Sequence, residues 1–140
     1  QDRVLEVGTG SGYFTALMAN QASVVVSVEL RADLKNEAER KFKAHGLNNI
    51  QSRLGDAALD WSDDGGFDAI VLTGSTPLLP NTYLNRLSPG GRLFAIVGEG
   101  DAMAATLVTC LAPATFRTDR LFETRVPALK NAPQPERFIF

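Results

Sequence analysis

Two hydrophobic periods alternate along this chain, and each change of period marks an element. Val4-Leu5-Glu6-Val7 and the run from Val24 to Glu29 are short and rich in β-branched residues. Such runs suit strands buried on both faces, so strands are expected over Arg3–Val7 and Val24–Glu29. Residues 13–20 between them read as a helix. Over Ala32–Ala44 the period becomes helical, with Leu34, Ala38 and Phe42 recurring every fourth residue. That spacing leaves Lys35, Glu39, Arg40 and Lys43 to face water, and Gly46 after His45 suits a left-handed helix cap.

Further along, residues 49–54 and 67–73 read as the third and fourth strands, joined by a polar connection that contains Trp61. A short helix is expected over residues 81–87. Ser88-Pro89-Gly90-Gly91 then signals a turn into a fifth strand at residues 92–97. Residues 104–111 and 120–126 are also strand-like, although helical propensity competes in the first. Their connection is too short for a crossover helix, which predicts an antiparallel pair. The tail, with Pro127, Pro133 and Pro135, reads as extended. The whole is an α/β pattern: a doubly wound, mostly parallel sheet closing on an antiparallel strand pair.

Composition narrows the functional classes. The 140 residues carry a net charge of -2 and a pI near 5.4, which supplies no general attraction to nucleic acid or anionic lipid. Cys110 is the only cysteine and His45 the only histidine, so neither a disulfide nor a Cys/His metal site is expected. No apolar run reaches membrane-spanning length and no signal peptide is evident, so a cytoplasmic monomer is the expectation. Residues 1–140 read as one domain. Because a strand begins almost at once after Gln1-Asp2-Arg3, an N-terminal segment is expected to precede it in the full protein.

Candidate chemistry collects after the strands. Glu6-Val7-Gly8-Thr9-Gly10-Ser11-Gly12 joins the first strand to a helix, and such a glycine turn admits close approach of a ligand to the backbone. A dinucleotide site wants Gly-x-Gly-x-x-Gly. Here the glycines sit at 8, 10 and 12, and Glu6 would repel a pyrophosphate while suiting the ammonium of a methionine moiety. That combination favours a loop for S-adenosylmethionine. Glu29, followed by Leu30, ends the second strand, where a carboxylate can accept from both ribose hydroxyls. Gly55-Asp56-Ala57 ends the third, with Asp56 suited to an adenine amino group or simply to an Asx turn. Thr73 ends the fourth. All four points fall at one edge of the sheet, where open α/β sheets bind ligands. Structural roles are expected for His45, Cys110 and Asp68, and a solvated turn for Asp63-Asp64; Trp61 suits either adenine covering or core packing.

These strings, together with Phe67-Asp68-Ala69-Ile70 and Leu87-Ser88-Pro89-Gly90-Gly91-Arg92, resemble protein-L-isoaspartate O-methyltransferases. The Gly-Thr-Gly-Ser-Gly-Tyr form of residues 8–13 is the most specific part, and Arg125-Val126-Pro127-Ala128-Leu129 is a looser echo. The resemblance implies a Rossmann-like class I methyltransferase fold and S-adenosyl-L-methionine as cofactor. It also implies isoaspartyl peptides or proteins as substrate, methylated on the α-carboxylate during protein repair. Glu6, Val7, Gly8, Thr9, Gly10, Ser11, Gly12, Glu29, Leu30, Gly55, Asp56, Ala57 and Thr73 are the expected cofactor residues. No catalytic base stands out, and none is required, since a carboxylate nucleophile is already ionised at neutral pH. The competing readings are a class I methyltransferase for a small metabolite or RNA, a non-catalytic cofactor-binding relative, and an NAD-dependent oxidoreductase.

Overall fold

The structure, a computed structural model, describes residues 1–63 and 65–139. Its elements run β1 (Arg3–Val7), α1 (Tyr13–Ala19), β2 (Val24–Glu29), α2 (Ala32–Ala44), β3 (Ile50–Leu54) and β4 (Phe67–Thr76). A 3-10 turn (Asn81–Arg86) then leads into β5 (Leu87–Glu99), β6 (Ala102–Ala112) and β7 (Thr115–Glu123). One sheet of order β3-β2-β1-β4-β5-β6-β7 holds all seven strands. Strands β1 to β5 pair in parallel, β6 runs antiparallel to β5, and β7 runs antiparallel to β6.

The two-residue period of β1 explains why the sheet is covered on both faces. Val4 packs with Ala19 and Val25, under α1. Leu5 and Val7 point the other way, into a larger core with Val26, Val28, Phe67, Ile70 and Tyr83. Both β1–β2 and β2–β3 crossovers step in the same direction along the sheet, so the right-handed rule puts α1 and α2 on one face. The opposite face is covered by Ala57, Trp61, Leu79 and Leu84, from loop and 3-10 turn rather than from full helices. Thus the element expected as a short helix is a tighter 3-10 turn. Tyr83 is wholly buried in it and its phenol donates to the Ala57 carbonyl.

Several boundaries differ from the sequence pattern for identifiable reasons. Ser88-Pro89-Gly90-Gly91 lies inside β5 and not before it. Its turn character survives as a register shift between the Phe67 and Ala69 pairings, with Gly90 at φ 81. β4 continues past Thr73, because Ser75 and Thr76 pair again with Ile96 and Val97 after a second shift. β7 starts at Thr115 rather than near residue 120, the hairpin turning at Ala114 with φ 56. As an edge strand it is largely exposed, so it has little of the apolar alternation by which strands are recognised. No helix is long and apolar enough to cross a membrane among the described residues. Cys110 is a buried free thiol, and no group of three or more His, Cys, Asp or Glu residues is placed to hold a metal among them.

Candidate functional site

The carboxyl ends of β1, β2, β3 and β4 open onto one crevice of about 660 Å³, a volume suited to a nucleoside-sized ligand. Of the residues singled out from sequence, Val7, Gly8, Gly10, Glu29, Leu30, Gly55, Asp56, Ala57 and Thr73 line it. Glu6, Thr9, Ser11 and Gly12 do not.

Gly8 sits at φ 99, and a Cβ there would lie 2.3 Å from Thr73 Oγ1. The reason is that Thr73, at the register shift within β4, reaches over the loop. Its hydroxyl lies 2.8 Å from the Val7 carbonyl oxygen and 2.7 Å from that of Gly8, sharing its proton between them. Thr73 therefore holds the turn shut instead of offering a free donor. Gly10, at φ 53, has no neighbouring atom where a Cβ would stand, so its face of the loop is open for a ligand. Its amide donates to Glu29 Oε2 at 2.9 Å, and the Arg31 amide donates to Glu29 Oε1 at 3.1 Å. Both oxygens of Glu29 are thus held by backbone, each with a further lone pair left to accept. Glu29 is 7% exposed, so that acceptor pair is fixed at the crevice wall.

Asp56 makes the Asx turn, at the rim of the crevice. Oδ1 accepts from the Ala58 amide at 3.1 Å, while the side chain remains exposed at the crevice. The loop carrying it is clamped from the 3-10 turn: Tyr83 donates to the Ala57 carbonyl, Thr82 to that of Leu59, and Arg86 pairs with Asp60 at 2.9 Å. The Arg86 hydrogen bond holds the Asp60 carboxyl below the usual range, and burial pushes the Tyr83 phenol up. Trp61 packs against Gly55 and the core, the bland alternative for that residue. Asp68 accepts the Arg3 amide at 2.8 Å and anchors β1. Asp63 pairs with Arg3 at 3.2 Å, while Asp64 lies outside the described residues.

Glu6 has a different place. It is wholly buried on the α1 side of the sheet, accepting from Thr15 and from Ser27, each at 2.5 Å. Loss of water pushes its pKa up to about 7 against the pull of those two bonds, and the Glu29 charge raises it further. Ser11 and Gly12 line a separate apolar hollow with Tyr13 and Phe42.

Sequence reasoning missed the tail. Pro127, Ala128, Leu129 and Lys130 line the crevice, tied to β4 by Ser75 N–H to the Pro127 carbonyl and Leu129 N–H to that of Ser75, both 2.9 Å. Asn131 then donates its amide to Asp56 Oδ2 at 2.6 Å across 75 positions of sequence. The only sequence signal was the Arg125-to-Leu129 echo, which carries no period.

A family model, protein-L-isoaspartate(D-aspartate) O-methyltransferase, matches residues 1–130. The chain belongs to this family. The protein-L-isoaspartate O-methyltransferase of Yersinia enterocolitica is 46% identical over 97 residues, 69% of this chain and 47% of that protein. That of Hahella chejuensis is 45% identical over 98 residues, 70% and 46% of the two chains. The chain therefore spans just under half the length of these family relatives. Among solved structures, a protein-L-isoaspartate O-methyltransferase superposes with a TM-score of 0.82 at 27% identity, covering 93% of this chain and 42% of that one. A Plasmodium falciparum family structure in complex with S-adenosyl-L-homocysteine gives 0.78 at 26% identity, covering 92% and 66%. A Streptococcus thermophilus rRNA methylase, at 20% identity and a TM-score of 0.61, shares the fold.

Proposed function

We propose that the crevice holds S-adenosyl-L-methionine and that the whole protein methylates the α-carboxylate of L-isoaspartyl residues in damaged proteins. The observation that carries this is the joint placement of the Gly8–Gly10 turn, the fixed Glu29 carboxylate and Asp56 on one crevice. Family membership supports an isoaspartyl acceptor, and the P. falciparum relative is in complex with S-adenosyl-L-homocysteine, the demethylated cofactor. Residues 1–140 act here as a single cofactor-binding domain.

Each residue has a role that its geometry permits. Glu29 takes the two ribose hydroxyls on its remaining lone pairs. Asp56 faces the adenine amino group from the neighbouring strand end, with Leu30 and Ala57 supplying apolar wall. Val7, Gly8 and Gly10 present backbone to the methionine end, and Thr73 keeps that turn closed. When bound, the cofactor supplies an electrophilic methyl group. The acceptor carboxylate has a reference pKa of about 3.9 and needs no base. The protein's contribution is alignment of nucleophile and methyl, an effect worth up to roughly 7–11 kcal/mol in well-oriented systems. The methyl ester then closes to a succinimide, which reopens partly to normal aspartate.

The test is paired. With cofactor labelled in its methyl group, the protein is expected to label an isoaspartyl peptide and leave its aspartyl twin unlabelled. Equal labelling of both, or of neither, would overturn the assignment.

A further inference from the structure

Beneath the glycine loop lies a chain of hydroxyls that the crevice does not use. Thr15 on α1 and Ser27 on β2 both donate to Glu6 Oε2 at 2.5 Å, and Thr9 Oγ1 lies 2.5 Å from Ser27 Oγ. Glu6, Thr15 and Ser27 are fully buried and Thr9 is 5% exposed. A hydroxyl has one proton. Ser27 gives its own to Glu6, so the Thr9–Ser27 bond is donated by Thr9. With Glu6 ionised, the Thr15 and Ser27 protons point to one carboxylate oxygen and the Thr9 proton to Ser27 Oγ.

Thr9 is the loop residue between the two glycines that line the crevice. The Gly8 amide donates to the Val28 carbonyl at 2.8 Å and the Gly10 amide to Glu29 Oε2 at 2.9 Å, so the loop is tied to β2 on either side of Thr9. The Thr9 side chain adds the anchor from below. Glycine backbone loses more conformational freedom on ordering than any other, and a ligand that must order such a loop binds more weakly for it.

We propose that Thr9 and Ser27 are positioning residues: the Thr9–Ser27–Glu6 relay sets the glycine loop before ligand arrives, holding the Gly10 amide against Glu29. This rests on the cofactor reading of the crevice. It gives a purpose to polar side chains at positions where the strand and helix patterns call for apolar ones. Once the loop is set during folding, cofactor binding no longer bears that ordering cost.

The test compares Thr9→Val, which keeps shape and loses the hydroxyl, with Thr9→Ser, which keeps the hydroxyl. S-adenosylhomocysteine affinity is measured by calorimetry, and Gly10 amide exchange by NMR without ligand. Thr9→Val is expected to weaken binding about tenfold and to speed Gly10 exchange, with Thr9→Ser close to wild type on both. Ser27→Ala should act in the same direction, and the Thr9→Val, Ser27→Ala double variant should bind no worse than the poorer single one, because both break one path. Wild-type-like binding and exchange in Thr9→Val would overturn the relay, as would Thr9→Ser failing equally. Weakened binding with unchanged exchange would make Thr9 a direct contact and also overturn it. A wild-type protein that binds no S-adenosylhomocysteine would overturn the crevice reading and the positioning role with it.

Discussion

Glu29→Ala is expected to weaken S-adenosylhomocysteine binding by about 100-fold or more, read by calorimetry at neutral pH. A carboxylate accepting from two ribose hydroxyls makes two charge-assisted hydrogen bonds, each worth roughly 1.5–3 kcal/mol. Removing it also leaves two cofactor hydroxyls facing a wall without acceptors. A second loss follows from the loop, since Glu29 Oε2 is the acceptor for the Gly10 amide. Glu29→Gln separates the two contributions. Its amide oxygen can still accept from Gly10, while its amide nitrogen can accept neither from a ribose hydroxyl nor from the Arg31 amide, so a loss of about tenfold is expected. Thermal midpoints of both variants establish that the fold is intact. Unchanged affinity in Glu29→Ala would remove Glu29 from the cofactor site.

The second large effect concerns stability and pH. Glu6 is wholly buried, and burial pushes its pKa up to about 7 while the Ser27 and Thr15 hydrogen bonds oppose the rise. From its ordinary value of 4.5 to about 7, the folded state therefore binds a proton more tightly than the unfolded chain. Its contribution to stability is complete below the lower value, declines as pH rises through this window, and is lost above the upper one. At pH 8 the fold then carries a buried carboxylate at a cost of about 3 kcal/mol relative to the neutral form. Glu6→Gln keeps the shape without the charge. It is expected to melt roughly 10 °C above wild type at pH 8, with the difference closing at pH 5. A gap that stays constant between those pH values would refute the assignment, as would a wild type more stable than the variant at pH 8.

Strand ends proved the readable part of the site. Glu29 ends a β-branched run and Thr73 follows the apolar first half of β4, and the parallel topology brings both to one edge with Asp56, which follows the mixed run Ile50–Leu54. The placement of Glu6 was obscured because its charge outweighed its parity. It shares a strand face with Val4, which packs under α1, and Thr15 and Ser27 are the polar residues that receive it there. A two-residue period through β1 carried that signal. The tail could not be read this way. Its ties to Ser75 and the Asn131–Asp56 bond join residues about 50 to 75 positions apart through backbone and amide groups, which leave no hydrophobic period. β7 was blurred by exposure and the start of β5 by its bulged register, both matters of tertiary setting.

Titration of the protein with S-adenosylhomocysteine, followed through backbone amide shifts, tests the central claim most directly. Saturable binding at one site is expected, with the largest shifts at Gly8, Gly10, Glu29 to Arg31 and Gly55 to Ala57, and smaller ones at Leu129 and Lys130. Amides of β7, on the far edge of the sheet, should remain still. No saturable shift, or shifts centred away from the ends of β1, β2 and β3, would contradict the assignment of this crevice.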